Sequence, residues 1–103
     1  MMMTEELVYR YGGIEVNDTR HSVTVGGAPV TLTPNQYRIL LFLISNPGHC
    51  ISEETLLHDV LGYNEDAESR TVCTHIKRLR LALGEFGRMI VNLRSFGYKL
   101  EAV

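Results

Sequence analysis

No stretch of this 103-residue chain is apolar for long enough to span a membrane. Its longest uninterrupted apolar run is Ile39 to Ile44, far short of the roughly 20 residues a spanning helix needs. The N-terminus lacks the charged-then-apolar pattern of a secretory signal, so a cytoplasmic location is the expectation. Cysteine is scarce. Cys50 and Cys73 lie in unrelated surroundings, which excludes a disulfide framework and a CxxC metal pair and is read as two reduced thiols. Adding His49 and His75 gives no closed tetrahedral spacing either, so no metal is expected. No phosphate-cradling glycine loop and no nucleophile–base–orienter set is present, which argues against an enzyme and against a bound cofactor. Repeats, low-complexity tracts and interdomain linkers are also missing. What remains is one small globular domain, 45% hydrophobic, with material for a modest core.

An excess of positive charge is lacking too, but only on average. The formal net charge is −2. From Met1 to Glu68, three cations (Arg10, Arg20, Arg38) stand against ten acids, a balance of −7. From Ser69 to Val103, seven cations stand against Glu85 and Glu101, a balance of +5. Segregation of this kind creates a local positive field that orients approach to a polyanion, without the indiscriminate binding of a basic protein.

Turn signals and hydrophobic periodicity divide the chain. Residues 7–32 read as a small antiparallel sheet of about four strands, with turns at Gly12-Gly13 and Asn17-Asp18. Gly26-Gly27 is a two-residue hairpin signal between His21–Val25 and Ala28–Leu32, with Pro29 near a strand start or edge. A helix is predicted over 33–46. Thr33 caps it, Pro34 takes its first position, Gln36 completes a capping box, and Asn46-Pro47-Gly48 stops it. Its apolar residues cover two sides, which predicts a helix sandwiched between the sheet and later helices. A second helix over 52–61 opens at Ser52-Glu53-Glu54, and an acidic connector leads to a third over 69–83. Ile90–Leu93 and Tyr98–Leu100 then flank a tight turn, giving a hairpin over 90–100 with Arg94 and Lys99 near its tip.

The third helix carries the densest information. Wound at 100° per residue, Val72, Ile76, Leu79 and Leu83 form one narrow stripe. Arg70, Thr74, Lys77 and Arg78 fall opposite, with Thr71 and His75 on a flank. One face docks on a core. The other presents short hydroxyls framed by cations, which suits the edges and phosphates of a DNA major groove. Two helices joined by a short loop, the second basic, followed by a basic-tipped hairpin, describe an α+β winged helix-turn-helix.

These residues resemble the DNA-binding effector domain of OmpR/PhoB-type response regulators. Four stretches carry the likeness: Leu32-Thr33-Pro34-Asn35-Gln36-Tyr37 leading into Leu40-Leu41; Ile51-Ser52 leading into Leu56-Leu57; Arg70-Thr71-Val72 with His75-Ile76 and Arg78-Leu79-Arg80; and Leu93-Arg94 with Gly97-Tyr98. The likeness runs from about Leu7 to Leu100. It implies that Thr71, Thr74 and Arg78 face bases from the recognition helix, with Arg94 as a minor-groove probe. It places Arg70, His75, Lys77 and Arg80, with Asn92 and Tyr98 of the wing, at the DNA backbone. Tyr63, Asn64, Glu65 and Asp66 fall in the loop through which many relatives engage RNA polymerase.

Double-stranded DNA in tandem half-sites, bound by two copies, is the implied partner; the alternative reading is a winged-helix protein-interaction module. Three departures from the family pattern stand out. Ser95 replaces a common glycine in the wing turn and is followed by a bulky Phe96. Cys73 takes a position that is often acidic, and Leu61 replaces a frequent tryptophan before the connector. These residues also include no counterpart of the aspartate-phosphorylated receiver that a full regulator of this kind carries.

Overall fold

Seven short strands, three helices and a 3₁₀ turn make up the computed structural model, which describes residues 5–68 and 70–102. Strands β1 (Val8–Tyr11), β2 (Ile14–Asn17), β3 (Ser22–Val25) and β4 (Ala28–Val30) form an antiparallel sheet in sequential order. Period-two alternation sets its two faces: Ile14, Val16 and Val23 are buried while Glu15 and Thr24 are more open. Gly26 and Gly27 connect β3 to β4 with φ of 56° and 86°, the paired positive values that a two-residue primed turn requires. Pro29 sits in β4, at the sheet edge, where its missing N–H costs no ladder bond.

Helix α1 runs Pro34–Ile44 and begins as its sequence dictates. Thr33 Oγ1 accepts the Gln36 N–H at 3.2 Å, and Gln36 Oε1 accepts the Thr33 N–H at 3.1 Å. That reciprocal box explains why a polar Gln36 lies buried. The helix packs against β1 on one side and against the later helices and the C-terminal hairpin on the other, with Ile39, Leu40, Leu43 and Ile44 fully enclosed.

The second helix departs from expectation. Ser52, expected to open the helix, instead joins Ile51 in a two-residue strand, β5 (Ile51–Ser52). Ser52 still caps the helical turn after it, its Oγ accepting the Thr55 N–H at 3.1 Å. The body of the helix, α2 (Thr55–Val60), is wound with π pitch, so that the Leu61 N–H reaches back five residues to the Leu56 carbonyl at 2.9 Å. The wider turn still delivers Leu56, Leu57 and Leu61 to the core.

Helix α3 spans Arg70–Ala82; the expected first residue, Ser69, lies outside the described residues. Val72, Ile76, Leu79 and Leu83 are all buried, as the stripe predicts. The 3₁₀ segment Gly84–Met89 then leads into β6 (Ile90–Leu93) and β7 (Gly97–Leu100). Here β7 is the central strand, with β6 on one side and β5 on the other. Gly97 makes the three-stranded arrangement feasible. A Cβ at that position would overlap the backbone of Ile51 and Ser52, so only glycine lets β5 approach. The architecture is the expected α+β winged helix-turn-helix, with the wing widened to three strands.

Candidate nucleic-acid interface

Burying the apolar stripe of α3 forces its other side into solvent. Arg70, Cys73, Thr74, Lys77 and Arg78 are exposed, and Thr71 and His75 are half-buried on the flank. Six of these residues (Arg70, Thr71, Cys73, Thr74, His75 and Arg78) line one shallow, open depression. The exposed cations need no internal partner to fold. Arg70 pairs with Glu68 at 2.8 Å, but both side chains are largely exposed, so the pair is weak and readily exchanged for a phosphate. Thr74 Oγ1 donates back to the Arg70 carbonyl at 3.2 Å. Its proton is therefore spent within the helix, and the hydroxyl faces outward as an acceptor, suited to an exocyclic amine on a base edge.

His75 is held differently from a free surface imidazole. Burial, then the neighbouring Arg78 charge, lowers its pKa below the ordinary histidine value. Nε2 lies 3.3 Å from the Tyr63 hydroxyl. The shift favours the neutral ring near pH 7 in the free domain. The same contact fixes the start of the connector, where the Tyr63 carbonyl also lies 2.9 Å from His58 Nδ1. Beyond that anchor, Asn64, Glu65 and Asp66 project into solvent. The Asn64 side chain accepts the Asp66 N–H at 3.1 Å.

At the wing, Asn92 on β6 and Arg94, Ser95 and Phe96 at the turn are exposed. Ser95 adopts φ of 64°, the left-handed conformation that favours glycine. Two expected backbone contacts sit elsewhere. Tyr98 is only 2% exposed, because β7 is the central strand and its ring turns into the core. Its hydroxyl lies 3.2 Å from Cys73 Sγ, and burial raises its pKa. Arg80 is half-buried and forks onto the Ile90 carbonyl, with Nε at 3.1 Å and Nη2 at 2.6 Å. It ties α3 to the first residue of the wing instead of facing outward. Lys99, expected near the tip, pairs with Val91 in mid-strand and leans on Glu101 at 3.5 Å.

The residues brought together are therefore Arg70, Thr71, Thr74, His75, Lys77 and Arg78 on one helix, with Asn92 and Arg94 on the wing. Sequence reasoning missed the two links that fix helix and wing to each other, Arg80–Ile90 and Cys73–Tyr98. No local pattern signals either one. Among the described residues no group of histidine, cysteine and acidic side chains is arranged to hold a metal ion, and no helix is long and apolar enough to cross a membrane.

Residues 27–100 match the family described as "Transcriptional regulatory protein, C terminal". The phosphate regulon transcriptional regulatory protein PhoB of Shigella flexneri is 38% identical over 101 residues, covering 96% of this chain and 44% of that protein. The crystal structure of the response regulator AdeR DNA-binding domain, in complex with an intercistronic region, superimposes with a TM-score of 0.80. It shows 33% identity over 91% of this chain and 99% of that one. The Klebsiella pneumoniae RstA DNA-binding domain, in complex with the RstA box, gives 0.81 at 25% identity, over 91% of this chain and 96% of that one. The chain spans less than half the length of the curated relatives it matches.

Proposed function

The chain belongs to the C-terminal domain family of transcriptional regulatory proteins, of the OmpR/PhoB type, and on that premise we propose that it binds double-stranded DNA sequence-specifically as a regulator's effector domain. The observation that carries this reading is the α3 face. Three exposed cations and two hydroxyl side chains share one side of a helix whose other side is locked into the core. Helices of this kind enter the major groove as the second helix of a helix-turn-helix pair. Thr71, Thr74 and Arg78 face the bases, with Arg78 able to fork onto a guanine edge. Arg70 and Lys77 neutralise phosphates, His75 donates to one, and Asn92 flanks the backbone on the wing side. Arg94 extends from the tip toward the minor groove, where narrow A·T-rich sequence concentrates negative potential.

One such domain reads only a few base pairs, so useful specificity calls for two copies on tandem half-sites, a homodimer assembled on DNA. The exposed Tyr63–Asp66 segment, anchored at one end and acidic, is a suitable surface for RNA polymerase. A full regulator would work in the cytoplasm and place a receiver domain ahead of these residues.

The experiment is selection of bound sequences from random duplex DNA, followed by affinity measurements over a salt series. A single recurrent motif is expected, with affinity falling steeply as salt rises. Arg78→Ala should weaken the selected motif by about 1–3 kcal/mol and relax one base position. Arg70→Ala should weaken all sequences alike and flatten the salt slope. A pool that never converges, with salt-independent binding, would favour a protein-interaction module instead.

A further inference from the structure

We infer that Phe96, at the tip of the wing, is a specificity-determining residue that wedges into a base step and reads DNA deformability rather than a base edge. The inference rests on the DNA-binding reading above and adds a contact of a different chemical kind. Phe96 is 62% exposed, an aromatic ring left in water in the turn of the hairpin. Its backbone is held on both sides. The N–H donates to the Leu93 carbonyl at 2.9 Å, and the carbonyl accepts the Glu53 N–H at 3.4 Å, from the start of the second helix. The next residue, Gly97, is pressed against the backbone of Ile51 and Ser52. The backbone that carries the ring is therefore tied to β5 and the second helix, and little backbone entropy remains to be lost when the ring is used.

Its neighbours decide what it meets. Arg94, two residues earlier and exposed, is drawn toward the negative potential of a minor groove, and the same turn carries Phe96 there with it. Apolar side chains delivered to a minor groove act by partial insertion between base pairs, unstacking a step and kinking the duplex. Such insertion costs least at pyrimidine–purine steps, TA and CA/TG, and more at stiff purine–purine steps. A protein partner fits these observations less well. Among the described residues the other exposed large apolar side chains are Leu7, Tyr63 and Leu81, on other elements, so the ring belongs to no apolar patch of the kind that centres a protein interface.

The test uses a selected duplex synthesised in two forms that differ only at the wing-side step, TA or AA. Affinities are measured for the wild-type domain, Phe96→Ala and Phe96→Leu, with 2-aminopurine beside the step to report unstacking. The wild type should prefer TA by about tenfold and brighten the 2-aminopurine. Phe96→Ala should lose both the preference and the brightening, and Phe96→Leu, which keeps an apolar wedge, should retain most of each. An identical TA/AA ratio for wild type and Phe96→Ala would overturn the wedge while leaving DNA binding intact. A loss confined to joint occupancy of two half-sites would also overturn it, assigning the ring to contact between copies. Failure of the wild type to bind any duplex would remove the DNA reading itself, and this inference with it.

Discussion

Replacing Arg80 by alanine separates two roles that the same guanidinium could serve. Family resemblance puts Arg80 on a phosphate; the geometry puts it on the Ile90 carbonyl, through Nε at 3.1 Å and Nη2 at 2.6 Å. Ile90 is itself buried, so the forked contact sits where water screens it poorly. Hydrogen bonds from a charged donor contribute about 1.5–3 kcal/mol, and the half-buried stem adds packing. A loss of about 2 kcal/mol is expected. At urea slopes of about 1–3 kcal/mol/M for small domains, that lowers the unfolding midpoint by about 1 M, monitored by far-ultraviolet circular dichroism. Arg80→Lys keeps the charge but cannot reproduce the fork, and should fall between alanine and wild type.

The DNA side of the same experiment gives an independent readout. If Arg80 positions the wing, Arg80→Ala weakens operator binding with no change in the slope of log K against log salt. If it holds a phosphate, the slope shrinks by about 0.9. An unchanged urea midpoint together with the smaller slope would refute the positioning role.

Other outcomes are expected from neighbouring residues. His75 is neutral in the free domain, and a phosphate favours its protonated form; binding should therefore take up a proton, and affinity should rise as pH falls from about 7.5 to 6. Stability of the free domain moves the other way. The unfolded histidine protonates first, so stability present above about pH 6.5 is lost as pH falls through that value. His75→Gln should abolish both trends, measured as Kd and urea midpoint across pH. Gly97→Ala drives a Cβ into the β5 backbone and should cost about 3 kcal/mol or more in urea unfolding, with the wing displaced. Ser95→Gly relieves a left-handed serine and should leave stability unchanged or raise it by up to about 1 kcal/mol, whereas Ser95→Val should lower it.

Much of the molecule could be read from local rules. The Thr33-Pro34-Asn35-Gln36 box carries its own hydrogen-bond partners within four residues, so the start of α1 depends on nothing distant. Gly26-Gly27 specifies a turn by conformation alone. The α3 stripe emerges because four apolar residues repeat at helical spacing, and the exposed face is what remains by subtraction. The features that escaped were set by partners far away in sequence. Ile51-Ser52 becomes a strand only because Gly97, more than forty positions later, has no side chain to keep it off. Two residues have no periodicity, and a serine followed by two acids is an equally good helix start; Ser52 in fact serves as both strand and cap.

The assignment of site residues divides along the same physical line. A residue type tells what a side chain is able to contact; burial decides whether it is free to do so. Arg80 and Tyr98 have the chemistry of backbone contacts, yet each is claimed by the protein, one by the Ile90 carbonyl and the other by the core and Cys73. Arg70, Lys77, Arg78 and Arg94 remain outside because no neighbouring element needs them. The two claimed residues are not idle for that reason. Both join α3 to the wing sheet, Arg80 through the first residue of β6 and Tyr98 through the middle of β7. A helix that reads one groove and a hairpin that reads the next must keep a fixed separation, and small misplacement would break the match to DNA. Side chains whose chemistry suits a contact are thus spent on holding the helix and the wing in register.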